Sequence, residues 1–263
     1  MTVTASLVKE LRDLTGAGMM DCKRALEETG GDLEGARRLL RERGIAAAGT
    51  RAGRETTEGK VLARVDGSRG AIVAVGCETE PVANNEEFIA FARRLLELVE
   101  VEGPAAAAGL DRERTELVAK IGENVAVRGA TRFEAANGEV LASYVHPPAG
   151  KIGVLVRGKA TPELARLVAM HISFARPRYL TRSEVPEDEI AAERAIYEKL
   201  PDVAAKPDEI RGKIVEGMLQ KRFFAESVLE DQPWIHDDSK TVGRALAEHG
   251  AEVFEFERYA LAE

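Results

Sequence analysis

Gly59-Lys60-Val61-Leu62-Ala63-Arg64-Val65, the dipeptide Asp66-Gly67, and Gly70-Ala71-Ile72-Val73-Ala74-Val75 form the stretch that decides the fold. Two short runs of β-branched and small apolar residues, divided by an Asp-Gly turn, read as a β-hairpin. The pattern then recurs: Gly138-Glu139-Val140-Leu141-Ala142 echoes the first run, and Gly150-Lys151-Ile152-Gly153-Val154-Leu155-Val156 echoes the second. A helix follows each copy. The first, from about Glu86 to Val99, carries Phe88, Phe91, Leu95 and Leu96 on one stripe, and the second runs from about Pro162 to Phe174. Both copies also close alike, because a helix at Asp111 to Ile121 leads through Gly122-Glu123-Asn124 into a strand at Val125 to Phe133. Leu246 to Gly250 likewise leads into a strand at Val253 to Tyr259. The class predicted is α+β, with two related core subdomains carrying antiparallel sheets; a solenoid needs three or more repeats.

On the N-terminal side, residues 4 to 44 read as three short helices. Thr4 caps the first, Thr15-Gly16-Ala17-Gly18 ends it, Gly30-Gly31 ends the second, and Asp32 caps a third that stops before Gly44. Ile45 to Gly59 has a linker composition, and Glu78 to Asn85 reads as a loop. The second copy carries an insertion at residues 186 to 222, an antiparallel helical hairpin that sets Ile190, Ile196 and Leu200 against Ile210, Ile214 and Met218, with Pro201 to Pro207 as its turn. The predicted domains are therefore a helical module with its linker (1–54), a core N subdomain (55–137) and a core C subdomain with the hairpin (138–263).

Composition narrows the function. The 263 residues hold 45 acidic and 37 basic side chains, a formal charge of −8, with 44% hydrophobic residues. An acidic balance argues against a dedicated nucleic-acid binder. The charge is uneven, since residues 1 to 64 carry 12 Lys/Arg against 10 Asp/Glu, leaving 25 against 35 for the rest. Cys22 and Cys77 lie far apart with no companions in metal-ligand spacing, no apolar run reaches the roughly 20 residues of a membrane span, and Lys9, Glu10, Arg12 and Asp13 stand where a signal peptide is apolar. A reduced, cytoplasmic chain is the reading. No Gly-Lys pair is followed by Ser or Thr as in a P-loop, Asp21 stands where a dinucleotide fingerprint needs its third glycine, and His146, His171, His236 and His249 form no HExxH pair. Neither covalent catalysis nor a cofactor is predicted.

Thr4-Ala5-Ser6-Leu7-Val8-Lys9-Glu10-Leu11-Arg12, followed by Thr15-Gly16-Ala17-Gly18-Met19-Met20-Asp21-Cys22-Lys23-Arg24-Ala25-Leu26, closely resembles the N-terminal signature of the elongation factor Ts family. The likeness continues through Cys77-Glu78-Thr79, Val118-Ala119-Lys120-Ile121-Gly122-Glu123-Asn124, Ala169-Met170-His171 and Ser239-Lys240-Thr241-Val242-Gly243, in order. The resemblance implies a ubiquitin-associated-type helical module, a two-part core and a coiled-coil hairpin. It also implies a guanine-nucleotide exchange factor for the GTPase elongation factor Tu. Such a factor binds the GDP form, disturbs the Mg²⁺ and phosphate end of the pocket, and holds the empty state until GTP arrives, with no bond made or broken. The principle is differential binding: a partner that prefers the empty GTPase weakens GDP binding by the same factor.

By the same resemblance, Met19, Met20 and Lys23 fall where the helical module touches the GTPase, against core packing as the alternative. Arg51 matches a basic linker position, against a plain solvated charge. Ile121 and Gly122 fall where the helix ends in the family's turn, against the alternative that Gly122 is needed only as a helix C-cap. His146, Ile235 and His236 match contacts of the C half, and for these a structural role stays equally open. The loop that is the mechanistic centre of the family typically reads Thr-Asp-Phe-Val, and here it is Thr79-Glu80-Pro81-Val82. Glu80 keeps the charge, while Pro81 replaces a large ring and removes an N–H. Either the partner pocket has co-adapted, or Val82 or Phe88 fills it, or exchange is weaker. A rival reading is a scaffold that binds elongation factor Tu without driving exchange. A third, an RNA-associated factor using Arg37, Arg38, Arg41 and Arg43, is weakened by the interleaved Glu34 and Glu42. Oligomeric state is not legible in the sequence.

Overall fold

The computed structural model describes residues 3–261. Helices α1 (Ala5–Thr15), α2 (Met19–Glu28) and α3 (Leu33–Arg51) come first. The Thr4 hydroxyl accepts the Leu7 N–H at 3.3 Å and the Asp32 carboxylate accepts the Glu34 N–H at 3.2 Å, so both caps sit where the sequence puts them. Val8, Leu11, Cys22, Ala25, Leu26 and Ala36 form a small core between the three helices.

Strands β1 (Glu58–Asp66) and β2 (Arg69–Cys77) make the first hairpin. A single helical turn, α4 (Glu80–Ala83), precedes α5 (Glu86–Glu102). A 3-10 segment at Pro104–Leu110 then leads into α6 (Asp111–Ile121) and β3 (Val125–Glu134). The second copy supplies β4 (Val140–Val145), β5 (Ile152–Lys159) and α7 (Pro162–Ala175). After a helical excursion come β6 (Pro233–Trp234) and β7 (Asp237–Thr241), which pair with each other. Helix α12 (Val242–Glu248) and strand β8 (Glu252–Ala260) complete the order. The excursion consists of α8 (Glu187–Glu198), α9 (Pro201–Ala204), α10 (Asp208–Met218), a π-helical stretch at Leu219–Phe224, and α11 (Ala225–Ser227).

The two larger sheets have matching antiparallel orders, β1-β2-β3 and β4-β5-β8, so the α+β class holds. Each middle strand is buried on both faces, which is why both read as continuous apolar runs rather than alternating ones. In β2, Ala71, Val73 and Val75 face a helix-side core with Phe88, Phe91 and Leu95. Ile72 and Ala74 point the other way, against Leu155 of β5, with Val61 and Leu261 beside them. The two sheets therefore close on each other. Val154 and Val156 pack outward against Val168 and Ile172 of α7 and Leu246 of α12.

Three expectations change. Helix α3 does not stop at Gly44 but runs on to Arg51, so the first part of the stretch read as linker is helical and Arg51 is a helix residue. The glycine serves close approach, because a Cβ on Gly44 would lie 2.5 Å from the Cβ of Ala119 on α6. The Arg41–Glu116 ion pair, at 2.6 Å, crosses the same seam. The loop from Glu78 to Asn85 contains the α4 turn. In the hairpin, Ile196 and Ile210 are half exposed, and Tyr197, Val203, Val215 and Leu219 are buried in their place. Ile190 and Tyr197 are two turns apart on one face, whereas Ile196 is rotated off it by one residue. Ile190, Leu200, Ile214 and Met218 pack along the edges of that core as anticipated.

Candidate functional site

The α4 turn owes its position to two carboxylates that reach across the chain. Glu123, in the turn between α6 and β3, accepts the Thr79 N–H at 3.0 Å and the Glu78 N–H at 3.1 Å on one oxygen, and the Thr79 hydroxyl at 2.6 Å on the other. Glu78 answers by accepting the Asn124 N–H at 2.7 Å, and its carboxylate lies 3.3 Å from Arg54. The Asn124 side chain in turn donates to the Arg54 carbonyl at 2.8 Å. Three segments distant in sequence are thus tied at one point. Thr79 occupies the N-cap of α4 without capping it, since its hydroxyl is engaged by Glu123.

Pro81 is the second residue of α4, where an N–H would have no intrahelical acceptor, so the missing donor costs nothing there. Glu80 and Pro81 face solvent, while Val82 is half buried against the helix-side core and Ala83 is buried. Phe88 is fully buried in that core, so it is not placed to fill the position of the family's ring. The Cys77 thiol donates to the Thr79 carbonyl at 3.3 Å, and burial, aided by the Glu123 charge, pushes it up to about 12. It is a structural donor at neutral pH, not a nucleophile.

Gly122 caps α6 with φ of +85°, a left-handed conformation that favours glycine, and its N–H bonds the Val118 carbonyl at 2.9 Å. Ile121 packs partly into the helix-side core. Both residues line one groove with Arg51, Arg43, Gly18 and Asp21, at the start of α2. Next along α2, Met19 and Met20 are 46% and 61% exposed, so neither is committed to the core and both are available as adaptable apolar contacts. Lys23 stays on the surface, 3.7 Å from Glu27.

His146, through Tyr144, and His236, beside Ile235, each adjoin α7 at a different residue. The exposed His146 shares a 2.9 Å hydrogen bond with the Tyr144 hydroxyl, and the Arg166 guanidinium of α7 lies over the Tyr144 ring. His236 meets the Trp234 ring edge-on at 4.6 Å and sits 3.3 Å from the Leu167 carbonyl of α7. Ile235, 41% exposed, donates its N–H to Nδ1 of the buried His171. His171 Nε2–H in turn donates to Gln232 Oε1 at 2.9 Å, an oxygen oriented by Gln232 Nε2 donating to the Ala175 and Glu226 carbonyls. Both ring nitrogens are used by the neutral tautomer, and burial lowers the imidazole to about 4.

Sequence reasoning singled out neither Glu123 nor His171 for these roles, because each acts on residues tens of positions away. It also missed Leu167 and Phe174, exposed apolar residues of α7 for which the available signal was their seven-residue spacing on one helix face. Of the arginines invoked for RNA, Arg37, Arg41 and Arg43 pair with Glu34, Glu116 and Glu28.

A family model described as elongation factor TS matches residues 78–263. Over 276 residues the chain is 43% identical to elongation factor Ts of Thioalkalivibrio sulfidiphilus, covering 100% of this chain and 93% of that relative. The chain belongs to the elongation factor Ts family. Elongation factor Ts of Bordetella petrii is 43% identical over 99% of this chain and 92% of its own length, and that of Escherichia coli O9:H4 is 41% identical over the same shares. Membership of the elongation factor Ts family makes this a translation elongation protein. Among the described residues no helix is long and apolar enough to cross a membrane.

Proposed function

We propose that the chain is the guanine-nucleotide exchange factor of a cytoplasmic elongation factor Tu. It binds the GDP form, releases GDP by disturbing the Mg²⁺ and phosphate end of the pocket, and stabilises the empty state until GTP binds. The observation that carries this reading is the α4 turn, a rigidly held support that presents the Glu80 carboxylate and Pro81 to solvent. A carboxylate brought near a Mg²⁺ site competes electrostatically with the metal's own ligands, and every ~1.4 kcal/mol of preference for the empty GTPase is worth about tenfold in GDP affinity. Thr79, Glu80, Pro81 and Val82 would form the disturbing element, with Met19, Met20, Lys23, Arg51, Ile121 and Gly122 as flanking contacts. His146, Ile235 and His236 would meet a separate part of the partner. The working division is a helical module and linker (1–54), an N subdomain (55–137), and a C subdomain (138–263) with its hairpin at 186–222.

The scaffold reading, binding without exchange, is favoured by one feature, the aliphatic ring of Pro81 in place of a phenyl ring. Catalytic amounts of the protein added to its own organism's elongation factor Tu, loaded with a fluorescent GDP analogue, separate the two. Accelerated release is expected. Stoichiometric binding with an unaccelerated release rate would establish the scaffold instead.

A further inference from the structure

The geometry points to Glu123 as a positioning residue for nucleotide exchange, acting through Thr79 and the α4 turn; the assignment rests on the exchange reading above. Three observations support it. The Glu123 carboxylate takes both N–H groups that precede the turn and the Thr79 hydroxyl, so its three bonds fix the direction in which Glu80 leaves β2. A carboxyl group held by two donors on one oxygen and a third on the other resists rotation in a way a single bond does not. Second, the tie is reciprocal. Glu78 takes the Asn124 N–H, so the turn is anchored on the segment that follows α6, while α6 itself, with Ile121 and Gly122 at its end, is held by Leu117 and Val118 in the core. Third, the Asn124 side chain holds the Arg54 carbonyl, which follows α3 and its terminal Arg51. One carboxylate pair therefore ties the turn to the segments that follow α6 and α3, and Glu123 itself need not touch the partner.

Pre-organisation of this kind acts on the rate once the complex has formed. A displaced turn still lets the flanking surfaces dock, but it delivers Glu80 to the wrong place, and a misplacement of about 1 Å can cost up to ~100-fold in rate. The test follows GDP release from elongation factor Tu against concentration of the full chain. Glu123→Ala removes the acceptor for two N–H groups. The saturating release rate is expected to fall about tenfold while the half-saturating concentration moves less than about twofold. Glu123→Gln keeps an acceptor for both amides and a donor for the Thr79 hydroxyl, and is expected to recover most of the loss. Glu78→Gln, which weakens the reciprocal arm, should show a smaller fall of the same kind and keeps the question open to test if the alanine variant folds poorly. A saturating rate equal to wild type in Glu123→Ala overturns the assignment. So does a parallel loss of rate, half-saturation and thermal stability that Gln does not repair, which marks a merely structural carboxylate. A wild-type chain that fails to accelerate release overturns the exchange reading, and the assignment falls with it.

Discussion

Pro81 is the residue at which this chain departs from the loop typical of its family, and α4 shows how the departure is accommodated. At the second position of a helical turn a proline lacks only an N–H that has no partner, and its fixed φ suits the turn. The side chain faces solvent, so a larger residue meets no obstruction within the chain. Pro81→Phe is accordingly expected to fold, with a loss of no more than about 1 kcal/mol from the freer unfolded state. It should speed GDP release from a conventional elongation factor Tu by between about twofold and tenfold, the worth of one well-packed aromatic contact. Stopped-flow release of a fluorescent GDP analogue that is unchanged or slower in the variant would show that the ring is not what the turn lacks. At this scale the candidate residues were legible, because Thr79-Glu80-Pro81-Val82 and Ile121-Gly122 stand in recognisable strings. Their supports were not. Glu123 reaches Thr79 and His171 reaches Gln232 across stretches that a single sequence does not connect.

Among the elements, α3 and α6 carry the attachment of the N-terminal helices to the core. The seam depends on a missing side chain, since any Cβ at Gly44 collides with Ala119. Gly44→Val is expected to destabilise the protein by about 1–3 kcal/mol, the usual cost of forcing volume into a packed contact. Adding Ala119→Gly returns space and should recover part of that loss despite its own helix-propensity penalty of roughly 1 kcal/mol. Thermal unfolding of the two single variants and the double variant measures the coupling, and losses that simply add would show that the seam is looser than it looks. Helix starts were legible from Thr4 and Asp32 because caps are local chemistry. The end of α3 was not, because a glycine that permits close packing and one that stops a helix are the same letter. Short α4 escaped notice for a related reason, since Pro81 and the asparagines after it signal a turn and a helical first turn equally well.

For the molecule as a whole, the repeat in the sequence was the decisive signal, and two three-stranded sheets of matching order answer it. What the repeat did not disclose was that the sheets bury their faces on each other, because the residues that do so are ordinary strand apolars with no mark of destination. Global stability should depend on His171. Its folded value of about 4 lies below the ordinary 6.5, so between those values the unfolded chain binds a proton that the folded chain refuses. The His171 contribution to stability is complete above about pH 6.5 and falls on acidification, by about 3 kcal/mol at pH 4. Glu139, held low by the Ala136 N–H and then by Arg157, loses its contribution only below its ordinary 4.5, whereas Glu230 and Glu257, both raised by burial, act in the opposite sense above 4.5, so removing the imidazole is what isolates its share. Thermal melts at pH 7 and pH 5 should differ clearly in the wild type and much less in His171→Gln; equal slopes would remove His171 as the cause. The closing of one sheet on the other also bears on how the chain is made. Strand β5 receives its second neighbour, β8, only after residues 160 to 251 have been made. Until then Ile72 and Ala74 on the first sheet have no completed surface to rest on. Pairings this distant in sequence form late and slowly. The covering of that face therefore waits on β8, and Ile72 and Ala74 are expected to stay open to solvent during refolding until this nine-residue strand pairs; transient binding of an apolar dye by the refolding full chain measures it.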